Sequence, residues 1–151
     1  MSETYSQVTD DDIRKLIDTI IEKDFKNLTG SIIEPIFLNK KKMSKGKYQL
    51  ATLSKPNSLI KHIFKTINGN DVDYILFFDV EVYYQFDDRD KNLIISHALE
   101  FADVDMEKDN PYTLRGAEVE TFYDEIERNK EDTQWQQRHQ DIAEQHYTKD
   151  E

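Results

Sequence analysis

Among the side chains of this 151-residue chain that could do chemistry, His97 has the most suggestive surroundings. It lies in the run FDDRDKNLIISHALEFADVD that starts at Phe86, where Leu93, Ile94, Ala98 and Phe101 recur with it at helical spacing. Asp87 or Asp88 stands where an N-cap is needed, and more acid follows in the first turn, where it favours the positive end of the helix dipole. The inward face of this helix therefore carries one imidazole among apolar groups. Glu100 falls near the same face, and Asp103, Asp105 and Glu118 can approach from the segments beyond it. A histidine with several carboxylates is a donor set for a hard metal ion. The plainer reading leaves Glu100 and the loop acids in solvent and His97 half-buried with a hydrogen-bond partner. It is preferred, because carboxylates are too abundant in this chain for their spacing to be diagnostic.

A second periodic segment follows across an acidic loop. Val119, Phe122, Tyr123 and Ile126 share one face of a helix expected to start near Thr113, which puts Arg115, Gly116 and Ala117 in its first turn. From about Asp73 to Trp135 the chain resembles the putative phage metallopeptidase family, small zincin-like proteins of phage and prophage genomes. Their first helix carries H-E-L-x-H, and their second begins with a segment like R-G-H-D-V-E-E-F. Here the same frame reads His97-Ala98-Leu99-Glu100-Phe101, then Arg115-Gly116-Ala117-Glu118-Val119-Glu120-Thr121-Phe122.

The resemblance implies a zincin-like fold and a phage origin, but the chemistry departs from it. A zincin needs two histidines four residues apart as zinc ligands, a glutamate after the first as general base, and a third ligand from elsewhere. Only His97 remains. Ala98 stands at the base, Phe101 at the second ligand and Ala117 at the histidine of the second helix, so the motif reads as vestigial. No catalytic residue and no cofactor are expected. Zinc enters only under an alternative in which His97 and Glu100 anchor a rearranged site.

The elements that must position His97 follow from the remaining patterning. Thr9 with Asp12 looks like a capping box, and Ile13, Leu16, Ile17, Ile20 and Ile21 continue as an amphipathic helix that ends near Gly30. Ile32 to Leu38 and Tyr48 to Leu53 predict a hairpin across a lysine-rich link, with Pro35 at an edge or bulge. Leu59, Ile60, Ile63, Phe64 and Ile67 predict a helix stopped by Asn68-Gly69-Asn70, with His62 at its surface. Val72 to Phe86 reads as a central strand with an extension at Val80 to Tyr84. The fold class expected is α+β, a small mixed sheet with helices packed on it, in one domain over residues 1–130. Residues 131–151 are expected to form an acidic tail, helical or frayed, with Trp135 as its anchor and His139 and His146 incidental.

Charge is distributed unevenly. Residues 31–70 carry eight Lys or Arg against one acid, whereas residues 71–151 carry eight against twenty-three, within a net charge of −11. Such a chain is strongly dipolar. The lysines at 40, 41, 42, 45 and 47 have only Tyr48 for base stacking, which disfavours nucleic acid as a partner. With no Cys, no signal-peptide pattern and no membrane-spanning run, the sequence predicts a cytoplasmic protein, and the phage resemblance implies that the cell is a bacterial host. Phosphate-cradling glycine motifs and a G-x-S-x-G elbow are absent.

The reading that results is a catalytically inactive, phage-encoded metallopeptidase-like protein that acts by binding a host protein with a basic surface. In the limit it would imitate DNA and inhibit a host transcription, replication or defence factor. The contact face expected is Asp103, Asp105, Glu107, Asp109, Glu118 and Glu120. The alternatives are the rearranged metallopeptidase and a structural or oligomerising phage protein.

Overall fold

The structure is a computed structural model that describes residues 4–44, 46–69, 71–115, 125, 128–132 and 134–149. Its centre is the strand β6 (Tyr74–Asp79), in which every residue except Phe77 is buried. A strand covered on both faces has to be apolar throughout rather than alternating, and YILFFD meets that need until its last residue. β6 pairs in parallel with β2 (Ile33–Leu38) and antiparallel with β5 (Ala51–Ser54), and β1 (Tyr5–Gln7) adds to the far side of β2. The order β1-β2-β6-β5 is a four-stranded mixed sheet, and with the helices it makes an α+β fold.

The hairpin expected between residues 32 and 53 does not form. β6 lies between its two arms, because the most apolar strand can pair on both edges and is best shielded there. The lysine-rich link contributes instead a small separate ribbon, β3 (Met43–Ser44) with β4 (Lys47–Tyr48). Pro35 pairs with Leu76 but lies one residue beyond the stretch Ile36–Leu38 that β1 covers. It thus flanks an open edge, where its missing N–H is tolerated.

Helix α1 (Asp11–Asp24) buries Ile13, Ile17, Ile20 and Ile21 as its spacing demands. Its cap is Asp10, whose carboxylate accepts from the Asp12 amide at 2.9 Å, rather than Thr9. A 3-10 turn at Lys26–Leu28 then leads to Gly30. α2 (Ser58–Asn68) is capped by Asn57 and closed by Gly69 at φ 76, a left-handed conformation that a side chain would disfavour. The expected strand extension after β6 is helical. Asp79 accepts from the Val82 amide at 3.2 Å and so starts the single turn α3 (Val80–Tyr83), a local bond that outcompetes pairing.

Helix α4 (Asp88–Leu99), capped by Asp87, is the element that carries His97. It is buried on more than one face, since Ile95 and Ser96 are enclosed as well as Leu93, Ile94, Ala98 and Leu99. α1 and β5 contribute to this enclosure, and so does α5 (Trp135–Lys149). Trp135, His139 and Ala143 recur every four residues along α5 and are all buried. The C-terminal segment, expected to be helical or frayed, is helical over Trp135–Lys149 with Trp135 buried, and His139, expected to be incidental, is a core residue.

After α4 the chain does not cross an open loop into a helix at Thr113. β7 (Ala102–Val104) and β8 (Tyr112–Leu114) form an antiparallel hairpin with Thr113 opposite Asp103. The Tyr74 hydroxyl donates to the Thr113 carbonyl at 2.8 Å and holds this hairpin to the central strand. The helical face expected at Val119, Phe122, Tyr123 and Ile126 lies outside the described residues.

Candidate functional site

The last turn of α4 holds His97 with its side chain about one-fifth exposed. Nδ1 lies 2.9 Å and 3.1 Å from the two carboxylate oxygens of Glu125, a residue with no exposed surface. A buried carboxylate on one ring nitrogen fixes both the orientation and the tautomer of an imidazole, placing a proton on Nδ1. The Trp135 ring meets His97 edge-on at 5.4 Å. Half-buried and hydrogen-bonded, His97 is as the plainer reading of the sequence has it.

The neighbours of His97 in the motif frame bring no donor to it. Ala98 is 1 % exposed and belongs to the apolar core. α4 ends at Leu99, after which Phe101 donates its amide to the Ala98 carbonyl in a tightened turn. That turn preserves the juxtaposition expected of residues four apart, and the Phe101 ring stands edge-on to His97 at 5.5 Å. A phenyl ring therefore occupies the side of His97 that the frame assigns to a second ligand.

Glu100 is not the solvated acid that the plainer reading expects. It is 2 % exposed and takes Arg115 on Oε2 at 2.8 Å and Arg128 on Oε1 at 2.5 Å, while Arg115 Nε also donates to its carbonyl at 2.7 Å. Desolvating a carboxylate demands this sort of compensation, and two guanidinium groups provide it. Arg128 in turn lies over the Phe25 ring at 5.2 Å. Beside this cluster is a cavity of about 240 Å³ whose polar lining includes Asp24, Asp103 and Arg115.

A second buried network joins α4 to α5 and was not foreseen from the sequence. Asp90, 4 % exposed, accepts from Arg138 Nε at 3.0 Å and from Nη2 at 2.5 Å, and its Oδ1 is 3.1 Å from His139 Nε2. Arg138 also forks onto Asp132 with two bonds of 2.9 Å, and Arg89 reaches Asp132 at 3.1 Å. Burial alone would raise the Asp90 carboxyl, but the bonds from Arg138 and His139 outweigh it and hold the group below its ordinary range. Asp132 is lowered to about 2, chiefly by Arg138. Burial pushes His139 down, against the pull of Asp90. Its ring stacks on Phe86 at 4.4 Å, and its Nδ1 is buried without a hydrogen-bond partner. The spacing of Trp135, His139 and Ala143 was the available signal, masked by the acid and amide residues between them.

Asp79 closes the central strand in a similar enclosure. Burial raises its carboxyl, an effect only partly offset by the Tyr147 hydroxyl that donates to it. Tyr147 stacks on Tyr48 at 5.4 Å, and Tyr48 also bonds Glu144 at 2.9 Å. Tyr48, the ring that the sequence puts next to the lysine-rich link, is thus engaged by α5.

The acids expected to form a contact face are divided. Asp103 and Asp105 are half-buried on β7 and just after it, whereas Glu107 and Asp109 are exposed in the turn of the hairpin. Ala117, Glu118 and Glu120 lie outside the described residues.

The sequence model of the putative phage metallopeptidase family matches residues 5–144, which span the sheet, α4 and most of α5. The chain belongs to this family. No curated protein and no solved structure matches it. Among the described residues, the motif positions do not assemble a zinc donor set. Ala98 and Phe101 offer no ligand atom, and Glu100 is held by two arginines. Among the described residues no three His, Asp or Glu side chains are grouped to hold a metal ion. Among them, too, no helix is long and apolar enough to cross a membrane.

Proposed function

We propose that this member of the phage metallopeptidase family is a non-catalytic binding protein. The observation that supports this most directly is the surroundings of His97: a phenyl ring at 5.5 Å where the frame has a second ligand, and a core methyl group at Ala98 where it has the base. Activating water on a metal needs several ligand atoms and a proton acceptor, and these positions supply neither. The scaffold persists around them, which suits a protein retained for its surface.

The surface assigned to a partner is the acidic one, with Glu107 and Asp109 at its exposed tip, Asp103 and Asp105 at its base, and Glu118 and Glu120 following in sequence. The partner is a host protein with a basic surface, of the kind that handles nucleic acid, and the acids stand in for phosphate charge. Such an interface is governed by long-range attraction, so its association is steered by charge and screened by salt. Capture of partners from a bacterial host lysate, followed by affinity measurement at low and high salt, tests this. Binding that weakens steeply with salt and with Glu107→Lys/Asp109→Lys is the expected result. An affinity indifferent to both would remove the acidic face from the account.

One observation favours a second reading, a metal-dependent peptidase with a rearranged site. The Glu125 carboxylate on His97 Nδ1 is the arrangement that commonly orients a metal-ligating histidine. Metal content separates the two readings.

A further inference from the structure

Helix α2 departs from the rule that an amphipathic helix buries its apolar stripe. Leu59, Ile63 and Ile67, spaced four apart along one face, are 66 %, 44 % and 74 % exposed, and no residue of α2 that is described is fully buried. The charges on this helix are Lys61 and Lys65, the latter 3.8 Å from Asp71 with both side chains exposed. The β7–β8 hairpin has the opposite character. Met106 and Leu114 are 71 % and 41 % exposed there, next to the acids Asp105, Glu107 and Asp109. Lys55, three residues before α2, donates to the Tyr112 carbonyl of β8 at 2.6 Å and so fastens the start of the basic helix to the acidic hairpin.

An apolar-and-basic patch beside an apolar-and-acidic one is self-complementary under a two-fold rotation, which sets each patch over its opposite on a second copy. We propose that α2 and the β7–β8 hairpin form the isologous interface of a homodimer. Leu59, Ile63 and Ile67 of one protomer cover Met106 and Leu114 of its partner, and Lys61 and Lys65 face the hairpin acids. The charges choose this pairing over α2 against α2, which would oppose lysine to lysine. The hairpin then serves two contacts, so a dimer and a complex with a basic host protein exclude one another at that point.

Sedimentation velocity on the full chain at low salt tests this. A concentration-dependent dimer is expected, weakened by about tenfold or more by Ile63→Asp. Charge reversal gives a second arm: Lys61→Glu/Lys65→Glu and Glu107→Lys/Asp109→Lys should each weaken self-association, and the two variants mixed should restore it as a heterodimer. Ile63 is solvent-facing, so its substitution leaves the fold intact, as circular dichroism will show. A monomer at every concentration, species growing past the dimer, or a dimer indifferent to Ile63→Asp overturns the proposal. So does a monomer that binds vesicles of phosphatidylglycerol and phosphatidylcholine through Ile63, which would assign the stripe to an anionic lipid surface. Ile63→Asp leaves the acids untouched, so loss of the dimer with retained salt-sensitive partner binding distinguishes this inference from the proposed function.

Discussion

At the scale of single residues, the account rests on which groups are desolvated and what compensates them. Glu100 and Asp90 are both nearly inaccessible carboxylates, Glu100 taking one bond from each of Arg115 and Arg128 and Asp90 a fork from Arg138. Breaking such a pair costs more than the pair contributes, because the remaining charge is stranded. Asp90→Ala leaves Arg138 with Asp132 but strips His139 of its partner, and it should lower unfolding stability by about 2–3 kcal/mol in a urea titration. The pH dependence has a sign that these groups determine. Asp90 and Asp132 titrate below the unfolded carboxylate range, so the stability they give is present above that range and is lost as pH falls through their folded values. His139 is lowered from 6.5, so below that pH the unfolded chain takes up a proton the folded chain resists, and stability falls on acidification. Asp79 is raised and works the other way, favouring the folded state as pH drops toward the carboxylate range. Melts of His139→Gln should therefore lose the decline just below pH 6.5 while keeping the steeper one at lower pH. A variant that declines in parallel with the parent across both windows would show that His139 is not the group responsible.

At the scale of elements, α5 matters most, because it supplies Trp135, His139 and Ala143 to the enclosure of α4. A chain ending before Trp135 should lose cooperative unfolding altogether rather than shed a dispensable tail, which a calorimetric scan would show as a missing transition. Retention of a sharp transition would make α5 an appendage. The patterning of α1, α2, β6 and α4 was legible because each carries a strong period or a dense apolar run bounded by a cap or a turn. What misled were cases in which local and tertiary terms compete. Asp79 accepting from Val82 turned an apolar strand extension into a helical turn. The arms expected to pair as a hairpin were separated by a more apolar third strand, a non-local choice that neither arm encodes. In α5 the apolar positions are few, and one of them is a histidine. The candidate site was legible in its motif frame but not in its partners, since Glu125, Arg115 and Arg128 reach it only through the fold.

At the scale of the whole molecule, a charge of −11 is divided along the sequence between a basic segment at residues 31–70 and an acidic remainder. The sheet, α4 and the buried arginine–carboxylate clusters supply rigidity, and the reactive positions around His97 are filled with a methyl group and a ring. The central claim, that this member does not work through a metal, is tested most directly by metal analysis. Protein purified without chelators, together with a His97→Ala variant, would be assayed for bound metal by mass spectrometry. The account predicts substoichiometric metal in both, with no difference between them. One equivalent of zinc or manganese in the parent that disappears in His97→Ala would contradict it and identify a working metallopeptidase site.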